Sequence, residues 1–132
     1  MNILYTNRLV LRPFHEGDAE AMYKNWTYDE RVAKYCRWYP HKNIAETKAY
    51  LKICLKAEYN WAITLRGIDE PIGSIGLVGA DSIGVPEIGY ALSYDYWRKG
   101  IMTEAVNAVI EELFRCGYNK IGSCHNVDNP AS

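Results

Sequence analysis

The run Glu87-Ile-Gly-Tyr-Ala-Leu-Ser-Tyr-Asp-Tyr-Trp-Arg-Lys-Gly-Ile-Met-Thr-Glu-Ala105 restricts the possible folds more than any other part of the chain. A strand-like stretch passes through a glycine directly into a long amphipathic helix. The first turn of a helix leaves backbone N–H groups without intrahelical acceptors, and the positive end of the helix dipole lies in the same place. A strand, turn and helix joined in this way form an anion-binding geometry, and a pyrophosphate fits it.

The rest of the chain sets the frame for that element. Its 132 residues, 48% hydrophobic and 23% charged, predict one globular domain over 1–132. Fifteen basic residues against sixteen acidic ones give a net charge of -1, and no Lys/Arg run marks a nucleic-acid stripe or a membrane-surface helix. The N-terminus, Met1-Asn-Ile-Leu-Tyr-Thr-Asn-Arg8, lacks a signal-peptide apolar region, and no apolar run is long enough to cross a bilayer, so a cytoplasmic chain is expected. Cys36, Cys54, Cys116 and Cys124 never form C-x-x-C, and the three histidines add no ligand spacing to them. They read as reduced structural thiols, with no metal site. In the pair Cys124-His125, neighbours in a strand face opposite ways and make a poor nucleophile and base.

Residues 8–14 read as a first, edge strand with Leu9 and Leu11 on one face and Pro13 at its end. Asp18 is placed to cap a helix burying Ala19, Met22, Tyr23 and Trp26. Residues 27–42 form a broken, aromatic-rich segment. Asn43-Ile-Ala-Glu46 then resembles a capping box opening a helix to about Glu58, with Tyr50, Ile53, Cys54 and Ala57 inward. Strands at 60–66, 71–78 and 87–94 are separated by turn residues and predict an antiparallel meander. The helix after Gly100 carries Val106, Val109, Ile110, Leu113 and Phe114 at helical spacing and ends near Gly117. A strand at 120–125 follows by crossover, parallel to 87–94.

In this order the elements resemble the GNAT superfamily of acyl-CoA N-acyltransferases. Within it the chain is most similar to the branch of ribosomal-protein N-terminal acetyltransferases. Four segments carry the likeness: Thr6-Asn-Arg-Leu-Val-Leu-Arg-Pro13, Ile88-Gly-Tyr90, Tyr96-Trp-Arg-Lys-Gly-Ile-Met-Thr-Glu-Ala105 and Asn129-Pro-Ala-Ser132. The resemblance implies a mixed α/β (α+β) fold: a mostly antiparallel central sheet with a parallel pair formed by 87–94 and 120–125, flanked by helices. Members continue through a further helix and two strands that this sequence lacks, so the domain is expected to be incomplete at its C-terminus. Its last strand would be left with an open edge, as expected of a fragment, of a naturally shortened protein, or of a chain that covers the edge as a homodimer.

The resemblance also implies acetyl-CoA as co-substrate and a primary amine as acceptor. The superfamily turn Q/R-x-x-G-x-G/A falls on Trp97, Gly100 and Met102, with only the central glycine kept. Backbone N–H groups do the binding, and any residue but proline supplies one. Trp97, Arg98, Lys99, Gly100, Ile101, Met102 and Thr103 would therefore wrap the pyrophosphate, with Arg98 or Lys99 adding charge. Tyr90, Ala91 and Leu92 would pair with the pantetheine arm, as would Asn129. Leu92 N–H would polarise the thioester carbonyl, Glu87 would take the amine proton, and Ser132 would protonate the departing thiolate.

Taken by themselves, the same residues allow other roles. Glu87 also reads as an ordinary strand residue, and Tyr96 and Trp97 as packing aromatics. Tyr35, Trp38 and Tyr39 would line an amine pocket or pack helices. Peptide N-terminus, amino acid, polyamine and aminosugar all remain open as acceptors. A catalytically impaired acyl-CoA-binding or partner-binding module is the alternative. A nucleotide-binding domain ranks third, since neither G-x-G-x-x-G nor G-x-x-x-x-G-K-[ST] is present.

Overall fold

The computed structural model describes residues 2–36, 39–80, 86–118 and 122–124. Strands β1 (Leu4–Tyr5), β2 (Leu9–Pro13), β3 (Asn60–Leu65), β4 (Ile68–Ala80), β5 (Pro86–Leu92) and β6 (Gly122–Cys124) form one sheet in chain order. The first five pair antiparallel, whereas β6 lies parallel to β5 with Glu87 opposite Gly122 and Gly89 opposite Cys124. Helix α1 (Ala19–Met22) is entered through a 3-10 turn at Glu16–Asp18 and continues as a π turn, Tyr23–Thr27. Helices α2 (Glu30–Cys36), α3 (Ile44–Lys56) and α4 (Ile101–Arg115) complete the fold.

Strand alternation divides the core into two layers. Leu9, Leu11, Trp61, Ile63, Ile75, Ile88 and Leu92 pack against Ile101, Met102, Ala105, Val109 and Leu113 of α4. On the opposite face Phe14, Ala62 and Ala91 meet Ala19, Met22, Trp26, Val32, Leu51 and Cys54 of the other helices. Each large apolar side chain fully buried in this way contributes about 2 kcal/mol. The second face also holds a buried ion pair: Arg12 makes two 2.9 Å bonds to Asp18 and one of 2.6 Å to Asp69. Among the described residues no helix is long and apolar enough to cross a membrane.

Several sequence expectations are corrected by packing. β2 is not the edge, because β1 pairs beside it through Leu4 and Leu11. Asp18 does not cap α1 forward. Its carboxylate accepts the His15 N–H and binds Arg12. The segment after Thr27 contains α2, whose Val32 and Ala33 are fully buried. In α3 the cap is as read, since Asn43 Oδ1 accepts the Glu46 N–H at 3.1 Å, but Glu46 reaches back to Lys42 N–H instead of Asn43 N–H. The helix stops at Lys56, and its inward face carries Thr47, Leu51 and Cys54 while Ile53 is exposed. Thr47 tolerates burial because its hydroxyl bonds Thr27 and His41. The buried stripe of α4 is likewise rotated toward Ile101, Met102 and Ala105, leaving Phe114 half exposed. Gly117 ends that helix with φ +105, and the bonds Gly117 N–H to Phe114 O and Tyr118 N–H to Leu113 O form a Schellman motif.

Candidate functional site

Two groups of residues meet at the C-terminal end of β5. The first is the connection from β5 to α4. Tyr94–Tyr96 forms a 3-10 turn, after which Arg98 takes φ +62 and Gly100 takes φ +76. Glycine accepts a left-handed φ without strain, whereas arginine stores strain there, and such strain clusters at functional sites. Sequence alone marks Gly100 as a left-handed position and gives no sign that Arg98 shares that conformation.

This backbone path leaves a continuous row of donors without acceptors. Trp97 N–H bonds Tyr94 O at 3.1 Å, and Glu104 N–H bonds Gly100 O at 3.1 Å. Between them, the N–H groups of Arg98, Lys99, Gly100, Ile101, Met102 and Thr103 reach no acceptor among the described residues. The side chains of Arg98 and Lys99 are exposed, and Lys99 Nζ stands 5.7 Å from the Tyr96 ring centroid. Ile101 and Met102 anchor the helix start in the core. Trp97 is half-buried, and its Nε1–H donates to Leu92 O at 2.9 Å, tying the turn to the end of β5.

A tie from the N-terminal segment fixes the turn from its other side. Glu104 accepts from the Thr6 hydroxyl, from Arg8 N–H at 2.8 Å and from Arg8 Nε at 2.9 Å, while Arg8 Nη1 donates to Lys99 O at 2.8 Å. Burial alone would raise the Glu104 pKa, but the Thr6 hydroxyl and the Arg8 donors outweigh it and hold the carboxyl below its usual value. Sequence reasoning missed these roles of Thr6, Arg8 and Glu104. The Thr6–Pro13 segment pointed to them only as a motif without a function.

The directions of the β5 backbone donors follow from its register. Ser93 N–H donates to Ile72 O at 2.8 Å, so the residues whose N–H groups face β4 are Ser93, Ala91 and Gly89. Leu92 N–H therefore faces the β6 side, where the described pairing ends at Gly89 opposite Cys124. By alternation Tyr90 and Leu92 face α4, whereas Glu87, Gly89 and Ala91 share the opposite face. Glu87 is half-buried and lies five residues, about 16 Å along the strand, before Leu92. Asn129 and Ser132 lie outside the described residues.

The second group surrounds Ala91. A cavity of ≈180 Å³ is lined by Trp26, Thr27, Tyr39, His41, Tyr50 and Ala91. Of the aromatics expected there, Tyr39 forms its outer rim, 92% exposed, and Trp38 lies outside the described residues. Trp26, Thr27, His41 and Tyr50 come from helical segments and loops that the sequence did not bring together. His41 is positioned by its N–H to Thr27 O at 2.7 Å and by Nδ1 to Thr47 Oγ1 at 2.7 Å, and its ring stands edge-on to Tyr50. Burial lowers its pKa despite the nearby Glu46, so the imidazole is neutral at pH 7. Arg31, paired with Asp29, stacks at 3.8 Å over Tyr94 and links α2 to the turn.

Comparison with known proteins gives consistent matches. The model of a family described as acetyltransferase (GNAT) domain matches residues 8–132. The N-acetyltransferase p20 of Bacillus licheniformis is 32% identical over 120 residues, covering 86% of this chain and 67% of that protein. The N-acetyltransferase YoaA of Bacillus subtilis is 31% identical over 140 residues, covering 98% and 77%. Among solved structures, a GNAT-family acetyltransferase from Bacillus anthracis superimposes with a TM-score of 0.82 at 24% identity, covering 98% of this chain and 77% of that one. An acetyl transferase from Salmonella typhimurium, described as modifying the N-terminal serine of the 50S ribosomal subunit protein L7/L12, has a TM-score of 0.77 at 20% identity, covering 98% and 78%.

Proposed function

This chain belongs to the GNAT acetyltransferase family, and we propose that it moves an acetyl group from acetyl-CoA directly to a primary amine. The observation that carries this reading is the unbroken row of acceptor-free backbone donors from Arg98 to Thr103 at the start of a 15-residue helix. They bind the diphosphate, with Arg98 and Lys99 contributing charge. The end of β5 at Tyr90, Ala91 and Leu92 runs beside the pantetheine arm, and the Leu92 N–H, turned away from β4, meets its amides as an added strand would. When bound, acetyl-CoA supplies an acetyl group activated as a thioester.

The chain's own groups then act around the end of β5. Leu92 N–H donates to the carbonyl oxygen as negative charge builds there. The acceptor amine sits in the cavity beside Ala91, on the face shared with Glu87. Gly89 lies between these two residues and has no side chain, which leaves room for a file of several waters to carry the amine proton along the strand to the Glu87 carboxylate. Asn129 holds the arm and Ser132 returns a proton to the thiolate, as the resemblance implies. We place the whole site in one domain spanning 1–132 and acting in the cytoplasm.

Calorimetric titration with acetyl-CoA and desulfo-CoA, beside thiol release over a panel of amines, tests this. Binding with release supports the transferase and begins to identify the acceptor. Binding without release across the panel favours the impaired acyl-CoA-binding module, and no binding by the folded chain removes the turn from the site.

A further inference from the structure

Arg8 stands immediately before β2, 91 positions ahead of Lys99 in the turn, yet two of its three guanidinium nitrogens are committed to that turn. Nε donates to Glu104 and Nη1 to Lys99 O. The third, Nη2, has no acceptor among the described residues and lies 3.4 Å from where a Cβ at Gly100 would stand. A guanidinium held at two corners cannot rotate, so its remaining edge keeps a fixed direction beside the row of acceptor-free amides. Glu104 is a carboxylate in the first turn of α4, where an incoming diphosphate would meet repulsion. Donors from Thr6 and Arg8 occupy both of its oxygens, and the Arg8 guanidinium compensates its charge.

We propose that Arg8 is a diphosphate-binding residue, its Nη2 edge aimed at the coenzyme by Glu104 and Lys99 O. This rests on the reading of the turn as the coenzyme site and adds to it a charged, pre-oriented ligand from the other end of the sequence. The side chain is 44% exposed, which leaves room for an anion at its free edge. Charge-assisted bonds from a fixed guanidinium to phosphate are among the strong ones, and rigidity reduces the entropy lost on binding.

The test compares coenzyme A with pantetheine, which lacks the diphosphate, on the wild-type chain and on Arg8→Gln and Arg8→Lys. Arg8→Gln is expected to bind coenzyme A about tenfold more weakly, with a shallower salt dependence, and pantetheine unchanged. Arg8→Lys is expected to keep the salt dependence while losing part of the affinity, because charge persists without the fork. Equal affinity for coenzyme A in Arg8→Gln overturns the proposal. So does a loss with unaltered salt dependence, which would make Arg8 only a brace for the turn. Failure of the underlying reading looks different: the wild-type chain itself would then bind coenzyme A no better than pantetheine.

Discussion

Around the N-terminus of α4 lie backbone N–H donors with no acceptor among the described residues, beside the exposed side chains of Arg98 and Lys99, on a turn held by Trp97 on one side and by the Thr6, Arg8 and Glu104 tie on the other. Beside Ala91, on the opposite face of β5, the cavity is walled by side chains: Trp26, Tyr39, His41 and Tyr50. Backbone donors recognise an anion whatever the side chains are, so a turn of this type serves one constant partner. A side-chain wall changes its preference with each substitution. Under the proposed function, this difference would let the cofactor side be read from the backbone turn and leave the acceptor amine to the cavity's side chains.

Four substitutions and conditions would break or sharpen that contrast. Glu87→Gln should lower turnover at pH 7 by about 10²-fold with acetyl-CoA affinity intact, as for loss of a general base. Equal rates would leave Glu87 a strand residue only. Gly100→Val should weaken acetyl-CoA about 30-fold, since a β-branched residue is strained at φ +76. Circular dichroism should show α4 unchanged, and the amine KM should stay constant. Tyr39→Ala should do the reverse, raising the amine KM about fivefold with no change in acetyl-CoA affinity. A shared loss of both affinities in either variant would dissolve the distinction between the two faces.

The smallest effect concerns pH. His41 is lowered from 6.5 by burial, so the unfolded chain takes up its proton first as pH falls. The stability it contributes is present above pH 6.5 and lost as pH falls toward the folded-state value. The Tm should therefore drop between pH 7.5 and 5.5, and His41→Asn should flatten that drop.

What the sequence made legible was local. The meander, the Asn43 cap, the Gly100 turn and the Gly117 terminus each depend on residues within a few positions of one another. What it hid was long-range or compensated. β1 is two residues long and exists because Leu4 and Tyr5 find β2. Thr47 is buried in place of Ile53 because partners at Thr27 and His41 satisfy its hydroxyl, a trade that hydrophobic periodicity does not register. Arg8 and Glu104 are 96 residues apart, and neither announces the other. The cavity has the same character: its lining comes from four separate stretches of chain, so its chemistry appears only once they are packed.

The central claim is that the coenzyme is held by the backbone of the turn and the acceptor by the other face of β5. Its most direct test is a ¹⁵N–¹H NMR titration of the chain with coenzyme A. The account predicts large shifts for the amides of Arg98 to Thr103 and for Leu92, with Thr27, Tyr39 and His41 unmoved until an amine is added. Saturating coenzyme A that leaves the Arg98–Thr103 amides in place, or that shifts the cavity instead, would contradict it.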